Sequence, residues 1–375
     1  MTTKIAIIGA GISGLNCARH LEKNPNVSID IFEKDSSIGG RIQTDEVDGF
    51  LLDRGFQVFL KSYPEAIETF DYSKIELFNF LPGAEINGEY IGDPLRTPSV
   101  LISTLFSSIG NLKDKLLILK LRFENKPPRK KISTLKYLKE YGFSEKIINK
   151  FFRPFFSGVF LNKELENDAE FFLFLYKLFS IDYASIPKQG MGELPKEIER
   201  LLTRTNIHLN SNVEIIENNT IRINDTKNLS YDHIISAHPS KNTSFYQVTT
   251  DYFWTDKSED LKSPSLKLFT KSNYINHIAP ISLANPNYAP EGKVLFSVNS
   301  LNEHNIEKVK TELHHLFPGK EFRFLKRYSI PKALPKIKKE KNGLQCGDWL
   351  ETPSINGALV SGRKVAEKIL NELRK

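Results

Sequence analysis

The stretch "KIAIIGAGISGL", residues 4–15, decides how the rest of the chain is read. Lys4-Ile5-Ala6-Ile7-Ile8 is short, apolar and β-branched, which predicts a buried parallel strand. Gly9, Gly11 and Gly14 follow at once, and Leu15 to Leu21 has helical spacing. A glycine inside a helix costs about 1 kcal/mol against alanine, so something must need the backbone bare. In a strand–turn–helix unit Gly9 makes the tight turn and Gly11 lets a pyrophosphate approach. Gly14, with Ala18 one turn later, lets the helix pack closely on the strand. Free N–H groups at the helix start, around Ile12 and Ser13, attract negative charge. A second strand, Val27 to Phe32, ends at Glu33, an acid placed to hold a ribose hydroxyl pair and repel a 2′-phosphate. Strand, helix, second strand and acid fall within one βαβ unit, and that context gives the glycine pattern its weight. The chain is expected to bind a dinucleotide.

NAD and FAD share this fingerprint. Just past Glu33 and Lys34 stands Gly39-Gly40-Arg41. These residues either supply backbone donors and a cation to a second part of a long cofactor, or form a plain turn with a solvent arginine. Spacing leaves the two readings open.

The chain has 375 residues, 40% of them hydrophobic, so two domains or one interrupted domain is expected. No apolar run reaches the ~18 residues that span a bilayer. The N-terminal residues show no signal-peptide pattern. Cys17 and Cys346 are the only cysteines and have no metal-ligand spacing, which suits a reducing, cytoplasmic setting without zinc. The net charge of +7 is concentrated: Lys113 to Lys150 holds 12 Lys or Arg against 4 Asp or Glu. Such a patch attracts phosphate or anionic lipid, or is simply a solvated helix face. The apolar segment Val100 to Ile109 just before it makes peripheral contact with an anionic membrane one expectation. Nothing points to nucleic acid.

"IAIIGAGISGL" with "IFEKDSSIGGRIQT" resembles the N-terminus of the flavin-dependent amine oxidase superfamily, which includes protoporphyrinogen-oxidase-like and phytoene-desaturase-like enzymes. "GFLLDRGFQVF" (49–59) is similar to the family's stretch beneath the flavin, and "CGDWLETPSINGALVSGRKVAEKIL" (346–370) to its closing motif and last helix. "RPFFSGVFL", "PKQGMGELPKEI" and "APEGKVLFSV" look like internal blocks of the protoporphyrinogen-oxidase-like branch. The resemblance covers nearly the whole chain and implies FAD. It implies an α/β fold: a Rossmann-type FAD-binding domain from separated segments (1–62, 185–244 and 336–375), with a mixed α+β substrate domain (63–184 and 245–335).

The resemblance places Lys34, Gly55, Phe56, Gln57 and Val58 along the cofactor, Val213 by its backbone at the adenine, and Ala237 at the next strand end. Gly347-Asp348 is implied at the ribityl and pyrophosphate portion. Ser354, Ile355, Asn356 and Ala358 open the last helix, whose N–H groups and positive dipole end suit charge building on a reduced flavin.

Ile207 to Glu217 and Asp232 to Ser236 read as strands, as do "SLKLFTKS" (265–272) and "KVLFSVNS" (293–300). The insert 63–184 is helix-rich, with Phe clusters at 151–160 and 171–179; these build a core or line a wide apolar pocket. Lys126-Pro127-Pro128-Arg129 marks a loop break.

No second Gly-x-Gly-x-x-Gly is present, so electrons are expected to pass from substrate to flavin and on to oxygen, a quinone or another acceptor. The cofactor carries the hydride step. No general base stands out; Lys267 or Lys271 is the candidate for the lysine many amine oxidases place near the flavin. Cys346 is read as a small residue ending a strand rather than a covalent flavin link, Cys17 as core and His238 as a loop residue. His314 and His315 are adjacent and cannot share a helix face. The expected function is hydride transfer from a lipophilic substrate, a polyene or porphyrinogen, to FAD. An amine oxidase is the alternative, and a non-enzymatic lipid binder of the same fold the second.

Overall fold

The computed structural model describes residues 2–124, 128, 130–216, 219–337 and 343–374. Strand β1 (Thr3–Ile8) runs into helix α1 (Ile12–Leu21), and β2 (Val27–Phe32) follows. β1 pairs in parallel with β2 on one side and with His233–Ser236 on the other. Thr205–His208 pairs in parallel with β2 and completes a four-stranded sheet. Ile5, Ile7, Ile29 and Ile31 join the main core with Leu15, Cys17 and Ala18 of α1. Ala6, Ile8 and Phe32 pack instead with Ile221 of a small antiparallel sheet and with Tyr231 just after it. Ile5 to Ile8 of β1, covered on both faces, leave no room for polar alternation, hence that continuous apolar run.

The closing helix, Ile355–Glu372, lies against α1. Gly362 permits the approach, because a Cβ there would meet the Ser13 carbonyl oxygen at 2.3 Å. Asn16 Nδ2 donates to the Leu359 carbonyl at 2.7 Å. The two ends of the chain therefore share one packing unit.

A seven-stranded sheet makes the second layer, in the order 323–335, 245–256, 293–300, 277–279, 266–268, 83–86, 89–92. The helix-rich insert thus contributes a hairpin as well as helices. "KVLFSVNS" forms the strand Lys293–Ser300, while "SLKLFTKS" yields only Leu266–Leu268. Ile207 to Glu217 is not one strand. It divides into Thr205–His208 and Val213–Ile216, because Asn210 turns the chain at φ 52°. The N–H groups of Asn210 and Ser211 bond to the carbonyls of Asp35 and Glu33 there. Glu217 and, apart from Pro128, the Lys126–Arg129 break lie outside the described residues.

Phe152, Phe156, Phe160, Phe171 and Phe172 are buried in the main core, with edge-on and tilted ring contacts such as Phe156–Phe172 at 4.8 Å. For these five side chains the core reading holds. Among the described residues no helix is long and apolar enough to cross a membrane.

Candidate functional site

The site begins at the N-terminus of α1. Gly11 caps that helix, no side chain among the described residues covers its N–H groups, and its first turn holds no acid. A Cβ at Gly11 would meet nothing within 4 Å, so the bare backbone borders open space. Gly14 answers a different need: its Cβ would lie 2.2 Å from the Gly9 carbonyl oxygen and 3.2 Å from the Ala237 Cβ. Ala237 follows the strand His233–Ser236, and its N–H bonds the Ile8 carbonyl at 2.9 Å.

Glu33 is buried at the end of β2. One carboxylate oxygen accepts from the Ala10 N–H at 2.8 Å, the other from the Asp35 N–H at 3.1 Å. Its own carbonyl receives the Ser211 N–H, which brings Val213 close along the chain. Lys34 is exposed beside it.

Gly39 and Gly40 turn back onto the glycine loop. Gly39 N–H bonds the Ala10 carbonyl at 2.9 Å, and a Cβ on Gly40 would sit 3.3 Å from the Gly11 Cα. Arg41 then reaches the far end of the sequence. Its guanidinium pairs with the Asp348 carboxylate at 2.5 Å and donates to the Ala333 carbonyl at 2.9 Å. Gly347 N–H bonds the Ser361 hydroxyl of the closing helix. Ser354 caps that helix by accepting from Gly357 N–H at 3.0 Å. Asn356 accepts from Glu65 N–H, with Ile355 and Ala358 in the same first turn.

Gly55 sits at φ +95°, and a Cβ there would press on Ile330. Gln57 Nε2 donates to the Arg41 carbonyl at 3.0 Å, while its buried Oε1 has no partner among the described residues. Val58 is half-buried. These residues fit a dinucleotide on the structure's own terms. An uncapped helix start, an open glycine face, a buried acid, a cation and an orphaned amide oxygen lie along one connected path.

Two features had escaped the sequence reading. The first is Asp53, buried within "GFLLDRGFQVF". Its carboxylate accepts from the Tyr288 hydroxyl at 2.8 Å, the Met191 N–H at 2.9 Å and the Thr44 hydroxyl, and Tyr252 bonds its carbonyl. Burial pushes its pKa up to about 6. A carboxyl that holds its proton more tightly folded than unfolded contributes stability below pH 4 that is lost as pH rises through about 6. The two-unit rise corresponds to on the order of 3 kcal/mol. His20 and His277, both lowered to about 4 with burial as the largest cause, act with the opposite sign. The informative quantity is therefore the difference between Asp53→Asn and the parent. Denaturant titrations from pH 4 to 7 are expected to show the variant gaining on the parent by about that amount, and a pH-independent difference refutes it.

The second is His277, buried on the inner face of the seven-stranded sheet, with its ring 5.4 Å from that of Phe56. Phe80 closes on Phe56 edge-on at 5.9 Å. Nδ1 of His277 bonds the Asn276 side chain at 2.9 Å, and buried Nε2 has no partner among the described residues. No motif marks it; its pairing with Asn299 across the strands exists only once the sheet is formed.

Other residues are placed away from this path. Lys267 pairs with Glu85 and lies over the Phe317 ring, and Lys271 lines a surface groove with Tyr274 and Glu312. His238 is exposed, as are His314 and His315. Cys17 and Cys346 are both fully buried. A hydrogen bond to Cys346, then burial, pushes the Cys17 thiol well up.

The sequence profile described as "Flavin containing amine oxidoreductase" matches residues 12–250. Coproporphyrinogen III oxidase of Staphylococcus aureus is 43% identical over 61 residues, 16% of this chain and 13% of that protein. Protoporphyrinogen oxidase 2 of Arabidopsis thaliana is 25% identical over 164 residues, 41% of this chain and 32% of the relative. The chain thus matches under a third of either relative's length. A Pyrococcus furiosus protein of known structure superposes with a TM-score of 0.76 at 20% identity, over 98% of this chain and 97% of its own.

Proposed function

The chain belongs to the flavin-containing amine oxidoreductase family, with FAD as its cofactor, and from that premise we propose that it oxidises a lipophilic substrate such as a polyene or porphyrinogen. The observation that carries the FAD part of the reading is a chain of contacts: Glu33 holds the Ala10 N–H, Gly40 stands on Gly11, and Arg41 pairs with Asp348; the substrate class rests on the related porphyrinogen oxidases. Residues at opposite ends of the sequence converge on one anion-seeking path.

When bound, FAD supplies the hydride acceptor. Around it the chain's own residues have separate tasks. Glu33 takes the ribose hydroxyls, while Gly9, Ile12, Ser13 and Gly14 present the start of α1 to the pyrophosphate. Gly39, Gly40, Arg41 and Asp348 bracket the centre of the cofactor, Val213 and Ala237 its nucleotide end. Gly55 to Val58 run beneath the ring, and Ser354 to Ala358 aim a helix dipole at it. We assign 1–62, 185–244 and 336–375 to the FAD-binding domain and 63–184 and 245–335 to the substrate domain, in a cytoplasmic protein that touches membranes only peripherally. The related porphyrinogen oxidases support the substrate class. Lys267, held by Glu85, gives the amine alternative little support, and a lipid binder without flavin has no use for both Arg41 and Asp348.

Acid denaturation of the yellow protein is expected to release FAD, identified by mass. Colourless protein that FAD cannot reconstitute defeats the proposal. Flavin that stays with the precipitate implicates Cys346 instead.

A further inference from the structure

Helix Leu112–Arg122 is apolar on two sides. Leu121 turns inward and is buried, with Leu117 and Ile118 half-buried against the main core. Leu112, Leu116, Leu119 and Phe123 recur at helical spacing on the opposite side, and Leu112, Leu116 and Phe123 are 63%, 60% and 68% exposed. The preceding helix, Leu101–Phe106, adds Ile102 at 72% and Phe106 at 81%. A helix back that merely faced water would be polar. Lys115 of the longer helix bonds the Ser107 carbonyl just past the shorter one at 3.1 Å, and exposed apolar side chains grouped in this way mark an interaction surface.

The charges around it select the occupant. Three of the four acids between Lys113 and Lys150 are turned inward or already paired. Asp114 is buried and accepts from Ser144 and Asn111, and Glu140 and Glu145 pair with Lys136 and Lys139. Lys113, Lys120, Lys130, Lys131 and Lys146 are exposed, and none has a carboxylate partner among the described residues. Two copies meeting on this face by a two-fold axis would set one basic rim against another. An anionic, apolar-cored surface satisfies both features at once.

We propose that the face formed by helices Leu101–Phe106 and Leu112–Arg122 docks on an anionic lipid bilayer, with its apolar side chains among the acyl chains and its lysines at the headgroups. At 11 residues, or about 16 Å, the longer helix lies in the interface and does not span it. The inference deepens the lipophilic-substrate reading by giving such a compound a surface to arrive from, and it rests on that reading only for its purpose.

The test is co-sedimentation of the FAD-loaded full chain with vesicles. One set is phosphatidylcholine mixed with phosphatidylglycerol, the other phosphatidylcholine alone. Binding to the mixed vesicles at low salt, weakened by salt and by the neutral lipid, is expected. The pairs Phe106→Asp/Leu116→Asp and Lys113→Glu/Lys120→Glu should each lower it by about tenfold or more, with flavin content unchanged. Absence of binding to anionic vesicles overturns the proposal, as does undiminished binding by either pair. A concentration-dependent dimer that the aspartate pair abolishes, without vesicle binding, shows a self-interface instead. Each readout is independent of turnover, so a failed oxidation assay leaves the docking result standing, and the reverse.

Discussion

Gly11→Val is expected to give a folded protein that does not retain FAD. Gly11 has φ −70° and ψ 168°, a conformation valine adopts without strain. Its Cβ direction is empty of protein atoms within 4 Å. The Cβ therefore meets no neighbour among the described residues, and the side chain projects into the space assigned to the pyrophosphate. Gly14→Val makes the contrast. Its Cβ would stand 2.2 Å from the Gly9 carbonyl oxygen, and overpacking on that scale costs about 3 kcal/mol or more. Two glycines of one motif thus predict two phenotypes: a stable apoprotein and a misfolded chain. Tm with and without added FAD separates them. The parent gains stability from FAD by mass action, whereas Gly11→Val melts as a folded protein and gains nothing. A Gly11→Val preparation carrying FAD at the parent's stoichiometry refutes the assignment.

The same residues show why some of the fold was legible. β1, α1 and β2 lie where the apolar run, the glycines and Glu33 put them, because each is fixed by interactions within the unit itself. The break at Asn210 was not legible. Its cause is the bonding of Asn210 and Ser211 N–H groups to a loop about 175 residues earlier, a contact with no local trace. The exposed stripe on Leu112–Arg122 was obscured for another reason. A helix with leucines on both sides has almost no amphipathic pattern, and so resembles a buried one. Asp53 stands just before Gly55 to Val58, the residues the resemblance singles out, yet three donors converge on it from residues 44, 191 and 288. Partners that meet only in three dimensions leave a buried acid looking like any other aspartate.

Under anaerobic conditions a porphyrinogen or polyene is expected to bleach the flavin about a hundredfold faster, or more, than benzylamine, a polyamine or an amino acid. Phe56 is the aromatic residue that the proposed function sets beneath the flavin ring. Its ring meets Phe80 and His277, and the imidazole of His277, with its pKa lowered by burial to about 4, is uncharged at neutral pH. An ammonium entering there gains nothing from Glu85, which is paired with Lys267, nor from Asp53, whose carboxylate is already held by the Tyr288 and Thr44 hydroxyls and the Met191 N–H. Leaving such a cation unpaired in an apolar setting costs at least about 3 kcal/mol, which is the hundredfold expected in rate. A polyene brings no charge to the ring, and a porphyrinogen meets it with an uncharged macrocycle, its carboxylates lying on the substituents, so both avoid that cost. Lys267→Met and Lys271→Met should accordingly leave flavin reduction unchanged, because one side chain is engaged with Glu85 and the other lies on a surface groove. Rapid bleaching by a simple amine, lost in Lys267→Met, reverses the assignment and makes amine oxidation the function. Equal and slow bleaching by every compound removes the substrate claim while FAD binding stands, since Gly11, Glu33 and Arg41 owe their positions to the cofactor path and not to the substrate.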